Sequence, residues 1–115
     1  MAKTIEKEIE ILFKIERKPG FYLGRESISL MMAFFRGYLL GITNDKPKPI
    51  ESIAGFQEYI AKRHSIKTSH SWADIILFME GNDERRAFRS FYAYFYEFLK
   101  DKGYEIPCES SEDTA

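Results

Sequence analysis

The last third of the chain carries an aromatic stripe that leaves few folds open to it. Phe88, Phe91, Tyr92, Phe95, Phe98 and Leu99 recur at three- and four-residue intervals. On an α-helix that spacing places all of them on one face. A helix with so apolar a face must cover it with other elements. Phe, Tyr and Trp make up 16% of the 115 residues. Large rings bury much area each, so even a chain of this length builds a sizeable core. The length fits one domain.

Four more helical segments precede the stripe, and no strand pattern is evident. The first spans about Thr4 to Arg17, with Ile5, Ile9, Leu12 and Phe13 on one side. Pro19-Gly20 is expected to end it. The second runs from Glu26 or Ser27 to Thr43 and is apolar on every side. A helix of that kind is usually central, and Ala33, Gly37 and Gly41, spaced four apart, are expected to mark a close helix crossing. Arg36 is the one charge between Ile28 and Ile42 and must reach water or a partner. The third segment covers Ile53 to His64. The fourth is capped by Ser71 and buries Trp72, Ile75, Ile76 and Met79. Asn82 or Asp83 caps the fifth, which Gly103 stops near Lys102. The expected fold is therefore an all-α, single-domain bundle of about five helices over residues 1–103, followed by an acidic, frayed tail over 104–115.

Composition narrows the function classes. A net charge of -1 is unlike a protein held on nucleic acid mainly by phosphate contacts. One cysteine and two histidines are too few for a closed structural zinc site. The charged start "MAKTIEKEIE" is unlike a secretory signal, and the longest apolar run is shorter than a membrane span. These readings lead to the expectation of a cytoplasmic protein with no cofactor, metal, membrane or direct nucleic-acid partner.

Two stretches carry patterns associated with chemistry. "KPGFYLG" is similar to the "RPGMYIG" lid of gyrase-type ATPases. That fold also needs a sheet, an acidic residue and asparagine on a preceding helix, and an Asp-x-Gly-x-Gly turn, none of which the sequence carries. The simpler reading is a chain reversal in which Phe21, Tyr22 and Leu23 plug the end of the core. "RHSIKTSH" offers Arg63 and His70 at a spacing compatible with the Arg-x4-6-His motif of all-helical HEPN-type ribonucleases. Its many hydroxyl residues read as a loop, whereas that motif opens a helix. A non-enzymatic protein is the first expectation. A HEPN-like ribonuclease using Arg63 and His70 is the alternative, and a helical adaptor subunit the third.

Taken together, "KPGFYLGRESISLMMAFFRGYLLGI", "FQEYIAKRH" and "SHSWADIILFMEGNDERRAF", with the aromatic last helix, resemble small bacterial immunity proteins. Those are encoded beside toxins in contact-dependent inhibition and other polymorphic toxin systems. The resemblance spans about Ile11 to Lys100 and implies a cytoplasmic protein that binds and blocks one cognate toxin, often a nuclease. Acidic patches that would meet a basic toxin are Glu6 with Glu10, Asp74 with Glu80, and Glu97 with Asp101. Tyr94 and Tyr96 flank the apolar stripe, and their rings, like that of Trp72, have polar tips suited to an interface. The expected partner-binding set is accordingly Trp72, Asp74, Glu80, Tyr94, Tyr96, Glu97 and Asp101 on the last two helices.

Overall fold

The aromatic stripe does organise the molecule. The structure, a computed structural model of the chain, describes residues 3–44, 46, 50–67 and 70–106. Among them run a short strand β1 (Lys3–Thr4), helices α1 (Lys7–Arg17), α2 (Pro19–Leu23) and α3 (Ile28–Ile42), a single 3-10 turn (Glu51–Ile53), helices α4 (Phe56–Arg63), α5 (Trp72–Met79) and α6 (Glu84–Asp101), and strand β2 (Tyr104–Glu105). The fold is all-α, in one domain.

Helix α6 is the axis. Its Phe88, Phe91, Tyr92, Phe95, Phe98 and Leu99 are all buried, with Ala87 beside them. Helices α3, α4 and α5 pack along it, and α1 reaches it through side chains. Phe13 stacks on Phe95 at 5.7 Å, and the buried Tyr92 hydroxyl donates to the Leu12 carbonyl at 2.6 Å. Phe56, at the start of α4, has no exposed surface and meets Trp72, Phe91, Phe95 and Phe98, with ring centroids 5.1–5.8 Å apart. Edge-on and offset ring pairs of this kind add to the burial of area.

The helix starts are set by hydroxyls and carboxylates. Ser27 Oγ accepts from the Leu30 N–H, Ser71 Oγ from the Asp74 N–H, and Asp83 Oδ1 from the Arg86 N–H. Each satisfies a backbone donor that a first helical turn leaves free. Between α5 and α6, Gly81 and Asn82 both take positive φ, and the Asn82 N–H returns to the Leu77 carbonyl at 2.8 Å. The "GND" stretch is thus the stop and restart its residues imply, and it keeps α5 against α6.

Several expectations need correction. Pro19-Gly20 does not only stop a helix but opens α2, because proline at the first position is already shaped for a helical turn. Gly24, at φ 84, closes it. Within α2 Tyr22 and Leu23 pack inward, but Phe21 is 79% exposed and plugs nothing. Helix α3 is not central. It buries Ile28, Met31 and Phe35 and leaves Ala33, Arg36, Gly37, Leu40 and Gly41 exposed along one side. Gly37 and Gly41 meet nothing, since a Cβ built on either has no neighbour within 4 Å. Gly37→Ala is therefore expected to stabilise the protein by about 0.5–1 kcal/mol, the cost of glycine inside a helix. A shift of the urea midpoint upward checks this. A downward shift would restore the close crossing that the spacing suggested. Last, Thr4 and Tyr104 belong to strands rather than to a helix end and a tail. Lys3 and Thr4 pair in parallel with Tyr104 and Glu105, and Tyr104 is buried. Residues 107–115, most of the expected tail, lie outside the described residues.

No helix among the described residues is long and apolar enough to cross a membrane.

Candidate functional site

Helix α5 is short, and its sequence "WADIILFM" is apolar nearly throughout. Eight residues cannot all face inward on a helix. Trp72, Ala73, Ile75 and Ile76 are buried. Asp74 and Phe78, one turn apart, look outward. Phe78 is 68% exposed and its neighbour Met79 is 45% exposed. Beside them opens a groove of about 510 Å³, walled by Ile66, Ile75, Leu77 and Phe78, with His70, Asp74 and Asn82 supplying the polar atoms. Gln57 holds the loop leading into α5. Its Nε2 donates to the His70 carbonyl at 2.9 Å, and its Oε1 accepts from the Trp72 N–H at 2.7 Å.

The seven residues expected to form one partner surface fall in separate places. Trp72 is core: only 8% exposed, it stacks on Phe91 at 4.9 Å and meets Phe56 edge-on. Tyr94 and Glu97 come together on the seam between α4 and α6. There the Glu97 carboxylate accepts from the Tyr59 hydroxyl at 2.9 Å and from Arg63 Nη1 at 2.8 Å. The Arg63 guanidinium also sits 5.1 Å from the Tyr94 ring centroid, and His64 meets that ring edge-on. The Tyr59 hydroxyl, then Arg63, hold the Glu97 carboxyl below the usual range. Both partners of this pair are well exposed, so water screens it and it adds little to stability. It fastens two helices. Tyr96 lies toward α1, against Phe13 and hydrogen-bonded to Glu16. Glu80 accepts from Ser90 Oγ at 2.9 Å and lies 3.5 Å from Arg86. Asp101 is exposed at the far end of α6. Of the seven, only Asp74 lines the groove.

Phe78 was missed, and Met79 was placed on the buried face of its helix. The signal for Phe78 was its position one turn after Asp74, off the stripe of Ile75 and Ile76. The arrangement around Arg63 also bears on the ribonuclease alternative. Its guanidinium is engaged by Glu97 and by two tyrosine rings, while His70 borders the groove of α5, whose wall does not include Arg63. In "RHSIKTSH", residues 68 and 69 lie outside the described residues. The stretch "KPGFYLG" forms α2 and its glycine cap. Among the described residues no group of three or more His, Cys, Asp or Glu is placed to hold a metal ion.

No family model, no curated protein and no solved structure matches the chain.

Proposed function

We propose that the chain acts by binding another protein through the outward face of α5, and that the partner is a cognate bacterial toxin domain, possibly a nuclease, neutralised in the cytoplasm. One observation carries the first part. The Phe78 ring stands 68% exposed at the edge of an apolar groove, with Met79 beside it. Fully covering a phenylalanine side chain is worth about 1.5–3 kcal/mol, and large rings at the centre of a surface are the usual anchors of protein interfaces. The toxin as partner rests on the resemblance of Ile11 to Lys100 to small bacterial immunity proteins. The surface differs from the one expected on the last two helices. Asp74 stays in it, Phe78 and Met79 enter it, and Trp72 leaves it for the core.

The test begins with the reading frame encoded beside this chain. Its toxin domain, expressed alone, is expected to stop growth. Co-expression of this chain should restore growth and yield a stable complex on size-exclusion chromatography. The Phe78→Ser variant should weaken that complex at least tenfold, roughly 1.4 kcal/mol. A neighbouring product that is no toxin, or growth that is not restored, overturns the toxin reading. Undiminished binding by the variant removes the α5 surface from it.

A further inference from the structure

The groove on α5 combines an apolar wall with the carboxylate of Asp74. Asp74 is exposed, in the first turn of its helix, with its backbone N–H engaged by Ser71 Oγ. Among the described residues no lysine, arginine or histidine forms an ion pair with it. The other acids nearby are occupied. Glu80 serves Ser90 and Arg86, and Asp83 caps α6 through the Arg86 N–H. The groove thus offers four apolar side chains, one uncommitted negative charge and the Asn82 amide.

We infer that this groove recognises a polypeptide segment in which a bulky apolar side chain stands beside a lysine or arginine. This rests on the reading of the α5 face as a protein-binding surface. The apolar side chain enters between Ile66, Ile75, Leu77 and Phe78. The neighbouring cation meets Asp74, and Asp74 is the residue that sets specificity. Three physical points select such an occupant. The volume, about 510 Å³, lies within the range that accepts a compact apolar group, about 300–1,000 Å³. Met79, 45% exposed, also presents surface outside the groove, which a small molecule seated inside would leave wet and a polypeptide lying across the face would cover. And a fixed carboxylate beside an apolar wall rejects acidic segments by like charge while it speeds encounter with basic ones.

The probe is a library of random twelve-residue peptides displayed on phage and selected on the immobilised full chain. The enriched peptides are expected to share a large apolar residue with Lys or Arg within two positions. As free peptides they should bind the parent at least tenfold more tightly than either Phe78→Ser or Asp74→Asn. Selection on Asp74→Lys should exchange the basic preference for an acidic one. Urea unfolding shows that each variant is folded. The inference is overturned if no motif is enriched, if the basic preference survives in Asp74→Lys, or if enriched peptides ignore both residues. It is overturned as well if sedimentation shows a dimer that Phe78→Ser disperses, since the occupant is then a second copy. Because no toxin enters this experiment, its outcome is independent of whether the partner is one. A toxin that needs Phe78 but is indifferent to Asp74 would leave the functional proposal standing and refute this one.

Discussion

Phe56→Ala is expected to remove about 3–5 kcal/mol of stability, the usual cost of deleting a buried phenylalanine ring and leaving its cavity. Phe56 has no exposed surface, and its ring lies within 5.8 Å, centroid to centroid, of Trp72, Phe91, Phe95 and Phe98. No single neighbour can turn to fill the space, because each is itself held by another ring. Trp72 is stacked on Phe91, and Phe91 on Phe95. Domains of this kind hold about 5–15 kcal/mol in all, so the loss is a large fraction of the total. Urea unfolding followed by tryptophan fluorescence is the natural readout, since Trp72 is the one tryptophan and touches the deleted ring. A loss below about 1.5 kcal/mol would mean that α4 is not keyed into α6 by this residue.

The second large effect is expected at Glu84, which serves the starts of two helices. It lies in the first turn of α6, and its carboxylate accepts from Ser27 Oγ at 2.8 Å, from the Ser29 N–H at 2.9 Å and from Ser29 Oγ at 2.7 Å, all at the start of α3. Negative charge at either helix start is favourable. Burial pushes the Glu84 carboxyl up, but Ser29, Ser27 and the nearby Arg25 charge more than offset it and hold the group below the ordinary value. A carboxyl depressed in the folded state contributes stability that is fully present above its unfolded pKa, about 4.3, and is lost as pH falls through the folded value. Glu84→Gln should therefore cost about 1–3 kcal/mol at pH 7 and less as pH falls below about 4. Urea midpoints of parent and variant in the two pH ranges test the sign. An equal gap at both would assign the effect to shape and not to charge. Glu6, Glu26 and Glu97 are depressed in the same direction, so acid should weaken the parent through the same window.

What was legible in the sequence follows the range of the forces involved. The stripe of α6 and the caps at Ser71 and Asp83 depend on residues within a few positions of one another, and they stand as their spacing implies. Trp72 has a place in both the expected buried face and the expected partner surface, and Phe78 in neither, because a two-turn helix that is apolar all round does not say which side is inward. That is decided by Phe56 and Phe91, which lie far along the chain from one or both. Gly37 and Gly41 carry a spacing with two meanings, close approach or bare surface, and only the placement of α3 against α6 chooses between them. The Glu84 bonds to Ser27 and Ser29 span more than fifty residues and leave no periodic trace. The groove shares that character, since its walls come from the loop before α5, from α5 itself and from the turn after it.

The two-residue ladder between β1 and β2 makes the first segment depend on one far along the chain. Lys3 and Thr4 pair with Tyr104 and Glu105, the Lys3 N–H donates to the Gly103 carbonyl, and the first helix waits almost as long for Tyr92 and Phe95. Closing a loop of that length carries an entropy cost that grows only slowly with its length, yet the closing residues must first exist. On the ribosome, where chains lengthen by about 5–20 residues per second, Leu12 and Phe13 emerge before α6 and remain without Tyr92 and Phe95 until the residues between have followed. The opening segment therefore spends several seconds as an apolar surface in search of a cover, and a nascent chain stalled before Phe88 has none of the aromatic axis to offer it.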